Sequence, residues 1–172
     1  MPAKSPGIRL SLALGLLAFA LDRGHKFLQL EIFNWGALCP PPGWRPLCPG
    51  VQVTPFFDYL LVWNPGISYG LFEAVPAIVL LAIMAVAMAA LTIWWLKADS
   101  VLVRCGLALC LGGALSHVID RWIYGAVPDF FYFHWGAWSF YVFNISDTMI
   151  TIGVALLAAD ALWPRAKNAQ RP

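Results

Sequence analysis

Apolar runs long enough to cross a lipid bilayer take up most of this chain, at 74–96, 101–119 and 141–163. At 1.5 Å rise per residue, about 20 helical residues span the roughly 30 Å of hydrocarbon. A further run starts at Ile8, meets Asp22, Arg23, His25 and Lys26, and resumes at Phe27 and Leu28. Its basic start is shared with secretory signals, but no small-residue cleavage site follows, so a retained helix over 8–28 is expected. With 60% hydrophobic and 12% charged residues in 172, the chain lies far from the soluble balance of about 45–50% and about 25%. The expected fold is therefore mainly α and membrane-embedded, a four-transmembrane-helix bundle forming one domain over 1–172, with the helix at 101–119 the most weakly bounded.

Basic residues set the expected orientation. Lys4, Arg9, Lys97, Arg104, Arg165, Lys167 and Arg171 fall at the two termini and around the junction of the second and third runs, which places these ends in the cytoplasm under the positive-inside rule. Arg23, Lys26, Arg45 and Arg121 lie toward the other side, mostly within charged motifs. Trp63, Trp122, Trp135 and Trp138 stand at the outer ends of helices and read as an interfacial aromatic belt. A net charge of +2, without a basic run interleaved with aromatics, gives no footprint for nucleic acid.

Between the first two helices, the segment 31–72 is rich in Pro and Gly and holds β-like stretches at 51–54 and 59–63. A small sheet on the outer membrane surface is expected there. Cys39 and Cys48 close a proline-rich loop in this segment, and in an oxidising periplasm they form a possible disulfide. Cys105 and Cys110 lie within an apolar run and read as small packing residues. His25, His117 and His134 show no ligand spacing with one another or with the cysteines, so no metal is expected.

Polar motifs interrupt this apolar background. Asp22 and Lys26 are one helical turn apart, which allows pairing, although the same residues can simply mark a helix end. Asn64-Pro65-Gly66-Ile67-Ser68-Tyr69-Gly70 lets the backbone approach a ligand closely, or serves as an ordinary loop. Gly112 to Arg121 combines small residues for close helix packing with Ser116, His117, Asp120 and Arg121. His117 taken singly reads as a hydrogen-bonded packing residue. Asp129, in Val127-Pro128-Asp129-Phe130, and Asp147, in Phe143-Asn144-Ile145-Ser146-Asp147, flank the start of the last run, with Asn144 on roughly the face of Asp147. Neighbouring carboxylates can share one proton and activate water; Asp129 can equally cap a turn and Asp147 bond inside the bundle.

The ordered series Asp22 to Lys26, Asn64 to Gly70, Gly112 to Arg121, Gly125 to Phe130 and Phe143 to Asp147 resembles the lipoprotein signal peptidase (signal peptidase II) family over nearly the whole chain. The resemblance implies an inner-membrane, multi-pass aspartic endopeptidase that removes signal peptides from diacylglyceryl-modified prolipoproteins, cleaving before the lipidated cysteine. Its catalytic pair maps to Asp129 and Asp147, and its supporting residues to Asp22, Lys26, Asn64, Gly66, Asp120, Arg121 and Asn144. It further implies no cofactor, prolipoprotein and membrane-lipid partners, a monomer, cytoplasmic termini and a periplasmic-side site. Three positions depart from the pattern: Ser116-His117 stand where Gly-Asn is usual, His25 where Thr or Ser is usual, and Ser146 where Ala is common. An imidazole near the pair can alter hydrogen bonding and the pH response. A catalytically silent membrane binding protein or small ion or lipid carrier is the alternative that the same polar interior allows.

Overall fold

The computed structural model describes residues 7–41, 48, 50–66 and 76–162. Of the residues singled out above, Lys4, Arg45, Ile67 to Gly70, Arg165, Lys167 and Arg171 lie outside that set. The order is helix α1 (Ile8–Phe27), a π-helical turn (Leu28–Ile32), short helix α2 (Trp35–Leu38), strands β1 (Gly50–Thr54) and β2 (Phe57–Asn64), helices α3 (Ala77–Lys97) and α4 (Val101–Tyr124), strands β3 (Val127–Trp135) and β4 (Trp138–Ser139), and helix α5 (Ile145–Leu162).

Helices α3, α4 and α5 are each long and apolar enough to cross a membrane. Helices α3 and α5 carry large apolar side chains outward: Val86 is 71% and Leu162 82% exposed, the arrangement expected when lipid covers the surface. Helix α1 carries Arg9, Asp22, Arg23 and Lys26 and so falls outside such a composition rule. Yet Asp22 and Lys26 are fully buried. The interior is accordingly polar at one end of the bundle, with Ser116, Asp120, Asn144 and Ser146 also inaccessible.

Small residues let α4 sit at the centre. A Cβ on Gly113 would lie 2.8 Å from the Ser146 carbonyl oxygen of α5, and one on Gly106 would lie 2.8 Å from the Gly153 carbonyl oxygen. On the opposite side, Gly112 meets the backbone of Gly15 in α1. Such contacts bring helix backbones close enough for dispersion to hold them where no hydrophobic drive exists. Far from being weakly bounded, α4 runs five residues beyond the expected 119 to Tyr124 and ends on Gly125, whose φ of 71° a side chain would strain. Arg104, expected at a helix junction, is buried in the first turns of α4 and donates to the Ala98 carbonyl.

The sheet differs from the expectation in composition. Strands β1 and β2 form at the anticipated stretches, but β3 and β4 come from the connection between α4 and α5, giving one antiparallel sheet in the order β1-β2-β3-β4. The β-rich part is therefore not confined to the segment between the first two helices. Beyond β4 the chain returns along β3, with Phe143 bridging Phe131, and α5 begins at Ile145 rather than at 141. Beneath the sheet, Leu30, Cys39, Leu61, Trp63, Ala126 and Phe130 form a small core. Trp63 leaves the expected belt: it is 1% exposed, and its Nε1–H donates to the Cys39 carbonyl at 2.6 Å, because an indole buried in a core needs an acceptor. Trp122, Trp135 and Trp138 remain exposed. Cys39 and Cys48 are joined as a disulfide with Cα atoms 5.3 Å apart, and Cys105 and Cys110 are buried thiols.

Candidate active site

The first turn of α5 organises one half of the site. Asn144 caps the helix: its Oδ1 accepts from the Asp147 backbone N–H at 3.1 Å, while the Asp147 Oδ2 accepts from the Asn144 N–H at 3.0 Å. This reciprocal capping box satisfies two donors that a helix start otherwise leaves unpaired. It also fixes both side chains and sets Asp147 at the positive end of the helix dipole.

Sheet pairing supplies the other half. Asp129 lies opposite Val62, and Asn64 opposite Val127, so Asn64 and Asp129 are diagonal neighbours on one face of the β2–β3 ladder. Asn64 Nδ2 donates to Asp129 Oδ2 at 3.2 Å, and Asn144 Nδ2 donates to Asp129 Oδ1 at 2.6 Å. Asn64 Oδ1 in turn accepts from the Gly66 N–H at 3.1 Å, and Arg121 donates to the Pro65 carbonyl at 2.9 Å and to that of Gly66. Asp129 thus sits between two amides, each fixed by a second contact.

Asp129, Asp147, Asn64, Gly66, His117, Arg121, Val127, Tyr141 and Val142 line one cavity of about 60 Å³, room enough for ordered water. Burial pushes the Asp129 carboxyl well above the usual carboxylate range, and the Asp147 charge pushes it further, against the two amide donors. His117 Nε2 lies 3.2 Å from Asn144 Oδ1 and 3.7 Å from Asp147 Oδ1.

Asp22, Lys26 and Asp120 stand beside this cavity. Lys26 Nζ bridges Asp22 Oδ2 at 2.6 Å and Asp120 Oδ2 at 2.5 Å, and Arg23 pairs with Asp120, so two anions face two cations. Asp22 also accepts from Ser116 Oγ at 2.6 Å and from the Ser146 N–H at 2.9 Å. Since Ser146 precedes Asp147, α1 holds the turn that carries it. The sequence reading missed Ser116 and Ser146 as partners of Asp22, and missed the capping box. The Asn-x-x-Asp spacing was the available signal for the box; no local signal marks contacts between distant helices. His25 has its Nε2 2.6 Å from the Tyr59 hydroxyl and its ring edge-on to Phe130. Burial raises the Tyr59 pKa and keeps that hydroxyl protonated.

Comparison with known proteins identifies the family. The family described as signal peptidase (SPase) II matches residues 14–163. The chain belongs to the signal peptidase II family. It is 42% identical to the lipoprotein signal peptidase of Beijerinckia indica, covering 86% of each chain. It is 40% identical to that of Methylorubrum extorquens, covering 87% of this chain and 83% of the relative. A solved bacterial membrane enzyme shares the fold with a TM-score of 0.78 at 22% identity, over 96% of this chain and 95% of that one. A second such structure gives 0.73, also at 22%. As a signal peptidase II family member the chain is a membrane peptidase that removes signal peptides from prolipoproteins.

Proposed function

We propose that this signal peptidase II works as an aspartic endopeptidase with Asp129 and Asp147 as its catalytic pair. By its family it removes signal peptides from prolipoproteins, cutting before the lipid-modified cysteine. One observation carries the aspartic reading: both carboxylates line the same small cavity, and the buried one is biased toward its protonated form. Asp147 takes a proton from a water in the cavity as that water adds to the scissile carbonyl carbon, and Asp129 donates its proton to the carbonyl oxygen. The tetrahedral diol then collapses: Asp129 recovers a proton from a hydroxyl, Asp147 protonates the leaving nitrogen, and the C–N bond breaks. Asn64 and Asn144 orient Asp129, Arg121 fixes the Pro65-Gly66 backbone beside the substrate, and the Asp22, Lys26 and Asp120 network supports the α5 turn.

The same reading makes 1–172 one membrane domain, monomeric, with α1 as a fourth span because its charges are paired internally. The termini lie in the cytoplasm and the site at the periplasmic face of the inner membrane. Support comes from Arg9 and Lys97 at the bundle end opposite the aspartates, and from the disulfide on the aspartate side, as suits an oxidising compartment. Diacylglyceryl chains of the substrate can stay in the outer leaflet while the scissile bond meets the cavity.

The test is cleavage of a diacylglyceryl-modified prolipoprotein by purified enzyme. Asp129→Asn and Asp147→Asn are each expected to lower kcat by at least about a thousandfold while inserting normally; cleavage retained in both variants overturns the aspartic assignment.

A further inference from the structure

The contacts of His117 go beyond packing. Its Nε2 meets Asn144 Oδ1, an oxygen whose identity is fixed because it also accepts from the Asp147 N–H while the amide nitrogen donates to Asp129. An acceptor oxygen requires a hydrogen on Nε2, so the ring is either the Nε2–H tautomer or the imidazolium. In both forms it donates to Asn144. Without that donor, the Asn144 oxygen keeps one hydrogen bond instead of two, and the amide is freer to turn its nitrogen away from Asp129.

The second contact is electrostatic. Nε2 is 3.7 Å from Asp147 Oδ1, close enough for a charged ring to oppose protonation of that carboxylate. The other charged groups near the ring are Asp129 across the cavity on β3 and Arg121 one turn along α4. Arg121 is committed to the Pro65 and Gly66 carbonyls. On the α1 side, Asp22, Arg23 and Lys26 are paired among themselves and with Asp120, and β2 contributes the neutral Asn64. Asp147 is thus the anion that His117 meets directly.

We propose that His117 is a positioning residue of the aspartate pair: its Nε2–H holds the Asn144 amide toward Asp129, and its charged form keeps Asp147 usable as a base in acid. The inference rests on the reading of Asp129 and Asp147 as the catalytic pair. The charge acts when the ring is protonated, and the hydrogen bond acts in either form.

The experiment compares the parent, His117→Gln and His117→Leu on a diacylglyceryl-modified prolipoprotein between about pH 5 and 8.5, with Asp129→Asn as control. Gln offers an N–H at the reach of Nε2 but no charge; Leu offers neither. At pH 8, His117→Leu is expected to lose about tenfold in kcat with KM nearly unchanged, and His117→Gln to recover most of it. Toward the acid end of that range, His117→Gln is expected to lose activity sooner than the parent, its acid limb lying at least about half a unit higher. Equal kcat for parent and Leu at pH 8, or superimposable acid limbs for parent and Gln, overturns the proposal. If His117→Leu fails to fold, the comparison of parent with Gln decides alone. An active Asp129→Asn instead removes the reading on which the inference rests, which keeps the two failures apart.

Discussion

Asn144 has two duties that substitution can separate. It caps α5 through Oδ1 and its own N–H, and it donates to Asp129 through Nδ2. Ser can keep the cap but has no second donor reaching Asp129. Both variants lose the buried donor to Asp129, so Asn144→Ser is expected to be about 1 kcal/mol more stable than Asn144→Ala, the contribution of the cap; both should lose about tenfold or more in kcat. Unfolding in micelles together with steady-state cleavage checks this. Asp129 itself costs the fold stability. Burial and then the Asp147 charge raise its pKa, so the folded state holds this proton more tightly than an unfolded carboxyl of about 3.9. The stability linked to it is present below about pH 4 and is lost as pH rises through the folded value. Asp129→Asn should accordingly melt higher than the parent at pH 8, with a gap that shrinks toward pH 5; a gap that grows on acidification contradicts the sign.

Among the elements, α4 depends most on what its neighbours lack. Its contact with α5 requires hydrogen at Gly113, where a Cβ would lie 2.8 Å from both the Ser146 carbonyl oxygen and the Ile150 side chain. That contact also carries the Asp22 to Ser146 bond and hence the position of Asp147. Gly113→Val is expected to destabilise the enzyme by about 1–3 kcal/mol and to reduce cleavage more steeply than Gly24→Ala, whose added Cβ meets nothing within 4 Å. Matched thermal unfolding and activity measurements test the ordering. The spacing of the small residues was readable from the chain as a close-packing face. Which neighbour each glycine meets was not, since Gly112 turns to α1 and Gly113 to α5, and one position of helical phase separates them.

For the molecule as a whole, the arrangement is apolar outside and polar at one end within. This predicts a fixed topology: in a functional enzyme, a cysteine replacing exposed Trp138 should react with an impermeant maleimide on intact spheroplasts. One replacing Lys97, at the other end of the bundle, should react only after permeabilisation. Reversed labelling contradicts the proposed orientation. The membrane setting, the three plainly apolar helices, the strands β1 and β2 and the Asp22–Lys26 pair were all legible in the chain, because each rests on run length or on spacings within one or two turns. The sheet partners β3 and β4, the burial of Trp63 and the sharing of Lys26 between Asp22 and Asp120 were not. Those contacts join residues 65 positions apart for Asn64 with Asp129, 94 for Lys26 with Asp120 and 124 for Asp22 with Ser146. Local chemistry determines which segments enter lipid and which side chains must then find partners; only the packing of α1, α4 and α5 under the sheet decides which partners they find, since a hydrogen bond requires atoms about 3 Å apart and chain spacing beyond a turn or a strand pair carries no such distance.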